Sequence, residues 1–361
     1  MVMREMDRLE GAEAEELYSR LTAKKLFFIL AALGGLVALV LVATSIGSAR
    51  LGIGEVARAI GARLLPLNAT VSGKVEVIVW DIRLPRIVLG VLAGAGLAFS
   101  GTAMQGIMRN PLVSPYTIGI ASAAAFGASV AIVLGAGLIG SGKYIVITNA
   151  FIFALLDAIL VYGLARMRGM RSETLILAGI ALMYLFSAGT SVLQYIATEE
   201  ELHAVVHWLF GSLTGASWEN VLVVSLVLVV CFLPLMRYSW DLNAMLAGDE
   251  TAASLGVNVE RVRTIILIFS TLPAATIICF TGIIGFVGLV APHITRMLIG
   301  ADHRFLLPSS SVLGALLLLG ADTLGRTAFQ PTVIPVGIVV SFIGVPFFLY
   351  LILKERREYF R

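Results

Sequence analysis

The sequence predicts an all-α protein, a polytopic bundle of ten transmembrane helices, and three observations lead to this fold class. The 361 residues are 58% hydrophobic and only 14% charged, against about 25% charged residues in typical soluble domains. Long runs carry no Asp, Glu, Lys or Arg, and a helix needs about 20 such residues to cross a bilayer. These runs do not alternate between polar and apolar residues, as the strands of a membrane barrel would. Helices are therefore expected rather than barrel strands.

The number of spans follows from the uncharged runs and from the distribution of charge. The uncharged stretch 264–295 is long for one helix and short for two, but its glycine-rich middle suits a tight reversal. With two spans there, 18 Lys and Arg residues fall on one side of the membrane and 8 on the other, whereas a single span gives 13 on each side. The positive-inside rule favours ten spans with both termini in the cytoplasm. The spans are expected near 26–46, 87–108, 112–139, 144–165, 174–198, 218–236, 264–282, 286–300, 305–321 and 333–353.

These spans divide the chain into one membrane domain and two short tails. Residues 1–25 and 355–361 are expected to be cytoplasmic tails, and 26–354 forms the ten-span domain. The first span has 21 residues and follows about 25 residues of mixed charge, so no cleaved signal peptide is expected. Two connections are long, 47–82 outside and 237–263 inside. The outer one is predicted to hold a short interfacial helix, because five apolar residues share one helical face: Ile53, Val56, Ala57, Ile60 and Leu64.

Two nucleotide-binding patterns occur in the sequence, and both are rejected. Residues 135–140 match the dinucleotide pattern, and 137–143 spell most of a phosphate-binding loop, but Tyr144 stands where Ser or Thr should hold magnesium. Both patterns require a strand before them and a helix after them, whereas here they join two expected spans. We therefore predict a glycine turn, no bound cofactor, and ATP hydrolysis only by a partner.

Composition gives no sign of a nucleic-acid partner or of a metal site. The basic residues behind the net charge of +3 lie between spans, where they set orientation. Cys231 and Cys279 lie in apolar runs and are interpreted as packing residues. His293, which follows Pro292, has no second His, Cys or carboxylate at metal-ligand spacing.

Two arginines precede the second span on the expected outer side, against the charge bias. Between them, Pro85 suits the first turn of a helix. Arg83 and Arg86 either extend along the membrane interface toward water or bind carboxylates of an external protein. The sequence alone gives these two interpretations equal weight.

The expected inner end of the second span is marked by polar residues and prolines. Gln105, Arg109 and Asn110 come first, and the Asn-Pro and Ser-Pro pairs at 110–111 and 114–115 indicate a turn followed by a helix start. Asn110 would cap the third span. A structural role is the favoured interpretation for this group.

The long inner loop is predicted to contain a short helix. Asp249 and Glu250 precede a small-residue stretch that ends at Gly256, and Asn258 would cap the seventh span. Such a helix is either a solvated connector or a contact for a cytoplasmic partner, and the spacing favours the connector.

One acidic residue, Asp157, lies well inside a predicted span. It is consistent with a structural ion pair or a pore-facing position.

Short elements occur in a recognisable order along the chain, and together they resemble one protein family. Each element is weak, but their joint order and spacing are specific: 83–86, 96–105, 109–119, 177–179, 208–212, 246–256, 285–296, 302–308, 321–326 and 334–348. Over residues 26–354 the chain resembles the FecCD-type permeases of ATP-binding-cassette (ABC) importers, which carry iron-siderophores, haem and cobalamin.

The resemblance implies a type II ABC importer permease fold and a set of partners. These are a second copy of the chain in a homodimer around a central pathway, two cytoplasmic ATP-binding subunits, and an external substrate-binding protein. The implied location is the prokaryotic cell membrane, in contact with lipid. One departure is Val333, because relatives commonly carry Glu two residues before the Pro-Val-Gly element at 335–337.

The resemblance also assigns roles to individual residues. Arg83, Arg86 and Arg326 resemble the arginines that dock the binding protein. Gln105 and the loop 171–174 resemble the inner gate and pathway, through Ser172, Glu173 and Thr174. Residues of 246–257 resemble the helices that couple to the ATP-binding subunit: Leu246, Ala247, Gly248, Asp249, Glu250, Ala252, Leu255 and Gly256.

The main alternative is a secondary transporter driven by an ion gradient. Such a mechanism usually needs several intramembrane acids or unwound half-helices that coordinate ions, and only Asp157 qualifies. A membrane-embedded enzyme would need convergent His, Asp, Glu or Cys residues near one membrane face, and the sequence shows no such cluster.

Overall fold

The computed structural model describes residues 11–47, 51–64, 72–137, 139 and 142–354. The predicted C-terminal tail, and the first ten residues of the N-terminal one, lie outside these ranges. All regular structure in the described residues is helical. The helices are α1 Gly11–Ser45, α2 Ile53–Leu64, α3 Gly73–Val77, a π-helical turn Ile78–Arg83, α4 Leu84–Met108, α5 Ile120–Leu134, α6 Lys143–Arg166, α7 Ser172–Ile196, α8 Glu199–Leu209, α9 Trp218–Arg237, α10 Ser239–Leu246, α11 Asp249–Ser254, α12 Val259–Thr281, α13 Val287–Ile299, α14 His303–Thr327 and α15 Val336–Lys354.

Seven helical stretches in the described residues are long and apolar enough to cross a membrane, so the chain is a helical membrane protein. They are α1, the continuous α3–α4 stretch, α6, α7, α9, α12 and α14. Three more predicted spans coincide with shorter apolar helices, namely α5, α13 and the first part of α15. The 15 residues of α5 extend about 22 Å, less than the ~30 Å hydrocarbon core. Length therefore supports seven of the ten predicted spans.

The prediction that the third span begins near residue 112 is wrong. The backbone turns repeatedly from Arg109 to Gly119, and α5 begins only at Ile120. Two prolines in this segment have no N–H to donate to a helical ladder. Asn110 does not cap α5, because its side chain accepts a hydrogen bond from the Leu112 N–H at 2.9 Å, within a local turn. The residue before α5 is instead Gly119, which has φ +100°.

The predicted break within 264–295 is confirmed. Helix α12 ends at Thr281, Gly282 has φ +69°, and α13 begins at Val287. The Tyr116 hydroxyl donates to the Ile284 carbonyl and accepts from the Ile284 N–H. One side chain therefore joins the two irregular segments, 109–119 and 282–286, and satisfies backbone groups that lie away from water.

Helix α4 lies at the centre of the bundle and packs closely on α14. A Cβ at Gly94 would overlap the backbone of Gly314, and a Cβ at Gly106 would lie 2.7 Å from the His303 ring. Such glycines let helix axes approach more closely than larger residues allow. The contact between α4 and α14 therefore runs most of the length of both helices.

The short helix predicted within 47–82 is present as α2, but its buried face is rotated from the predicted one. Val56 and Ala59 are buried, whereas Ile53 and Ala57 are exposed. The difference arises because α2 packs on the segment before α4, where the Trp80 indole N–H donates to the Ala59 carbonyl at 2.9 Å. The side chain of Leu64, the fifth predicted face residue, lies outside the described residues.

Candidate functional site

A cluster of charged side chains joins the beginning of α4 to the end of α14. The Asp322 carboxylate is fully buried, and its Oδ1 accepts from Arg86 Nη2 at 2.7 Å. Its Oδ2 accepts from Arg326 Nε at 2.9 Å, one helical turn along α14. We call Arg83, Arg86, Asp322 and Arg326 the Asp322 cluster. Helix α14 extends beyond the predicted 305–321, and this extension places Arg326 in its last turn.

The same cluster also holds the end of α1. Arg83 Nη1 donates to the carbonyls of Thr44 and Ser45 at 2.6 and 3.1 Å, and Arg326 donates to Ala43 at 3.3 Å. The last carbonyls of a helix have no partner within the helix and carry its negative dipole end. Arg83 is only 6% exposed, so it does not extend toward water as interfacial snorkelling would require.

The structure thus brings the three predicted docking arginines together and adds partners that sequence analysis missed. Arg86 and Asp322 are 236 positions apart, and nothing in either local sequence indicates their pairing. The spacing of Asp322 and Arg326 is the one available signal, since residues four apart lie on the same helical face.

The predicted short helix of the inner loop is present as α11. Gly248, with φ +114°, precedes it, and Gly256, with φ +86°, follows it. Ala252 is buried, whereas Leu246 and Leu255 are exposed. Asn258 caps α12 as predicted, because its side chain accepts from the Arg261 N–H at 3.0 Å. Glu250 lies at the start of α11, beside Asp249, and Ala247 lies in the turn after α10.

A buried arginine that sequence analysis did not select connects this helix to two other segments. The Arg263 side chain is 3% exposed, and its Nη2 donates to Asp249 Oδ1 at 3.1 Å. Its Nε donates to the Ile107 carbonyl at 3.2 Å and its Nη1 to the Met170 carbonyl at 2.8 Å. We call these four residues the Arg263 link. The only sequence signal was the position of Arg263 immediately before an uncharged run.

The predicted gate residues lie next to this link. Ser172 Oγ donates to the Ile107 carbonyl at 3.4 Å, so two side chains share that acceptor. Glu173 is exposed, and Thr174 lines an open cavity of about 800 Å³. Gln105 does not join them: it is buried on α4, where it accepts from Arg296 Nη2 at 2.8 Å.

A second polar group connects α10, α14 and α1. Asp302 accepts from Asn243 Nδ2 at 2.8 Å and from Arg304 Nη2 at 2.6 Å, and Lys25 lies 3.7 Å away. Burial alone would raise the pKa of Asp302, but the hydrogen bonds from Arg304 and Asn243 outweigh it and lower the pKa to about 2. Asp302 therefore anchors α10, the helix that precedes α11, to the beginning of α14.

Both interpretations of Asp157 are wrong in this structure. The residue is fully buried, so it does not face a pore. Within the described part of the chain, neither carboxyl oxygen has a hydrogen-bond partner. The carboxyl group packs instead on the backbone of Gly119, where a Cβ would lie 2.7 Å from Oδ1. Asp157 therefore lies beside the residue that immediately precedes α5.

These features define a polytopic helical membrane protein with separate polar networks at the two ends of its central helix. The chain belongs to the FecCD transport family, whose model matches residues 35–354, and this confirms the family predicted from the sequence. It is 40% identical over 326 residues to the hemin transport system permease protein HmuU of Yersinia pestis, covering 90% of this chain and 96% of that protein.

Two further similarities support this assignment. The chain is 42% identical over 293 residues to the cobalamin import system permease protein BtuC of Halobacterium salinarum, covering 81% of this chain and 77% of that protein. It also matches a solved inward-facing structure of a transporter assigned to the metal-chelate ABC type. The TM-score is 0.79 at 35% identity, covering 90% of this chain and 98% of the solved one.

Proposed function

We propose that the chain is the permease subunit of an ABC importer, and that it forms the membrane path for a metal chelate such as an iron-siderophore, haem or cobalamin. The family match over residues 35–354 carries this proposal, because it covers nearly all of the membrane domain. The relatives named for hemin and cobalamin are about equally similar to this chain. Similarity therefore supports the class of metal chelates more strongly than any one member.

The ATP-binding subunits are proposed to bind at α11. This short helix presents the half-exposed Asp249, and Leu255 at its end is 69% exposed. An exposed Leu beside charged groups is typical of a protein contact with a small apolar centre and a polar rim. One ATP-binding subunit would bind each copy of the permease, and ATP hydrolysis would take place on those partners.

The external binding protein is proposed to dock at the Asp322 cluster. The cluster holds three guanidinium groups and one carboxylate, so it keeps a surplus of positive charge. Such a surplus attracts carboxylates of a partner and orients its approach. Each arginine already has an internal acceptor. A docking carboxylate would therefore have to share or replace these bonds.

The proposed topology has ten spans, with both termini and α11 in the cytoplasm and the Asp322 cluster outside. The short helices α5, α13 and α15 would complete the ten spans together with the buried irregular segments beside them. A single cysteine at residue 142 or 329 should then react with an impermeant reagent from outside, and one at 358 only after permeabilisation. Outside reaction at 358 would contradict this topology.

The homodimer is proposed to enclose the pathway between two copies of the chain. An open cavity of about 530 Å³ lies between α8, the segment 282–286 and α15. Phe342 on α15 is 77% exposed and Tyr195 on α7 is 90% exposed. A second copy would cover part of these surfaces.

Reconstitution in lipid vesicles tests the proposed function. The permease is combined with its ATP-binding and binding-protein partners, and uptake of an iron-siderophore, haem and cobalamin is measured with and without ATP. Uptake should require ATP and stop when the ATP-binding subunit is replaced by a hydrolysis-deficient variant. The permease alone should not hydrolyse ATP. Uptake that depends on an ion gradient and not on ATP would instead indicate a secondary transporter.

A further inference from the structure

Arg263 is the most buried charged side chain that bonds to three separate segments in the described part of the chain. Its acceptors belong to the beginning of α11, the end of α4 and the loop 167–171 before α7. We infer that Arg263 transmits the position of α11 to the inner gate, so that movement of the ATP-binding subunit opens or closes the 171–174 segment. This inference rests on the proposed function.

The geometry of the side chain suits such a role. A guanidinium group has five N–H donors in a rigid planar fork, and its Nε, Nη1 and Nη2 here each bond to a different acceptor residue. A lysine has a single charged nitrogen and cannot reach the three acceptors in one plane. The arginine therefore fixes the relative positions of three segments that are far apart in the sequence.

Two of the three acceptors of Arg263 are backbone carbonyls in positions where the local backbone leaves them available for a hydrogen bond. The Ile107 carbonyl lies in the last turn of α4, where carbonyls lack helical partners. Met170 is fully buried with φ +53°, and its N–H donates to the Ala165 carbonyl. The loop 167–171 is therefore held in one conformation at Met170, one residue before the predicted gate segment 171–174 begins.

The third acceptor differs because it is accessible from outside the bundle. The Asp249 side chain is 40% exposed, whereas Arg263 is 3% exposed. When a partner displaces α11, Arg263 must either follow Asp249 or lose its only carboxylate while it remains buried. An unpaired buried charge is strongly unfavourable. Arg263 therefore moves with α11 and shifts its bond to the loop 167–171.

A neighbouring arginine offers an alternative connection. Arg109 Nη2 lies 3.9 Å from Asp249 Oδ1, and its side chain is 43% exposed. At this distance and exposure the pair contributes little. Arg109 thus serves as a control for loss of charge near Asp249, and the exposed Arg261 serves as a control for loss of an arginine from the first turns of α12.

The experiment measures gate movement directly in the complete transporter. Thr174→Cys is introduced after Cys231 and Cys279 are replaced by Ala, and its rate of reaction with a thiol reagent is compared in the nucleotide-free and ATP-bound complexes. The rate should change with ATP. Arg263→Ala should abolish the change, whereas Arg261→Ala and Arg109→Ala should retain it. Uptake per ATP hydrolysed should fall about tenfold in Arg263→Ala, within the usual range of coupling between sites.

Two milder variants keep the test informative if Arg263→Ala does not fold. Arg263→Lys keeps the charge but loses the fork, and Asp249→Asn removes the carboxylate from the exposed end. Arg263→Lys, at a side chain that is only 3% exposed, should still bind the ATP-binding subunits, as judged by copurification. Both variants should lose the response at Thr174→Cys. Normal uptake with a retained response in either variant would overturn the inference. Absence of ATP-driven uptake with the unmodified chain would instead refute the proposed function itself.

Discussion

The Asp322 cluster and the Arg263 link are opposite arrangements of the same chemical groups. They lie near the two ends of α4, about 30 Å apart at the rise of a helix. In the cluster, one buried carboxylate is shared by two arginines. In the link, one buried guanidinium is shared by a half-exposed carboxylate and two carbonyls. The cluster therefore holds helices of the bundle together, whereas the link has one end that a partner can move.

The largest expected effect comes from removing the shared carboxylate of the cluster. Asp322→Ala leaves Arg86 and Arg326 with no carboxylate partner, and loss of one side of a buried ion pair costs about 3–5 kcal/mol of the free energy of unfolding. Thermal unfolding in detergent should show this loss. Asp249→Ala is the matched control from the link. It leaves one arginine rather than two without a carboxylate, and Arg263 keeps its bonds to the Ile107 and Met170 carbonyls, so its cost should be smaller. Equal costs for both variants would remove the distinction between the two regions.

A smaller effect is expected between the two regions, where α4 crosses α14. A Cβ at Gly314 would lie 2.5 Å from the Ala98 Cβ, so Gly314→Ala should destabilise the protein by about 1–3 kcal/mol through overpacking. Gly320, in the same helix, has no heavy atom within 4 Å of an added Cβ. Gly320→Ala should therefore be neutral or stabilising by about 0.5–1 kcal/mol. Equal unfolding temperatures for the two variants would show that the helices separate easily.

Docking at the Asp322 cluster should change association more than stability. Arg326→Gln removes one charge of the surplus while Arg86 remains paired with Asp322. The association rate of the binding protein should fall severalfold at low salt and less at physiological salt, where the Debye length is about 8 Å. Arg326→Lys should retain most of the rate. Arg63→Gln, at an exposed position, controls for net charge, and an equal effect there would argue against docking at the cluster.

The smallest effect on stability is expected from titration of Asp302, which lies next to α10. The pKa of Asp302 is lowered to about 2, so its stabilising contribution is fully present above the ordinary carboxyl pKa of about 4 and is lost as pH falls toward 2. Between pH 5 and 8, Asp302 should therefore leave stability constant. Unfolding temperatures of the protein and of Asp302→Asn should run parallel in that range and converge in acid. If the difference between these two unfolding temperatures changes between pH 6 and 7, a group other than Asp302 is titrating there.

Much of the fold could be predicted from local sequence, but the two networks could not. The helix break at Gly282 and the cap at Asn258 follow from residue types at short spacing. The late start of α5 was missed because a buried irregular segment and a helix carry the same apolar residues. The partners of Arg86 and Arg263 were missed because their pairing depends on how distant helices pack. Of the ion pairs in these two networks, only Asp322–Arg326 joins residues four apart on one helix, a spacing that the sequence itself can indicate.

The two hydrogen bonds of Tyr116 bear on how the membrane domain moves. The Tyr116 hydroxyl donates one of these bonds and accepts the other, and both are made with the backbone of a single residue, Ile284. If the segments 109–119 and 282–286 separate, both bonds break together, and the backbone groups of Ile284, which is fully buried, lose their partner at an unfavourable cost. Intermediate separations are then the least favourable ones. A bundle connected in this way exchanges between discrete arrangements, so its motion should appear as two populations rather than as a continuous range.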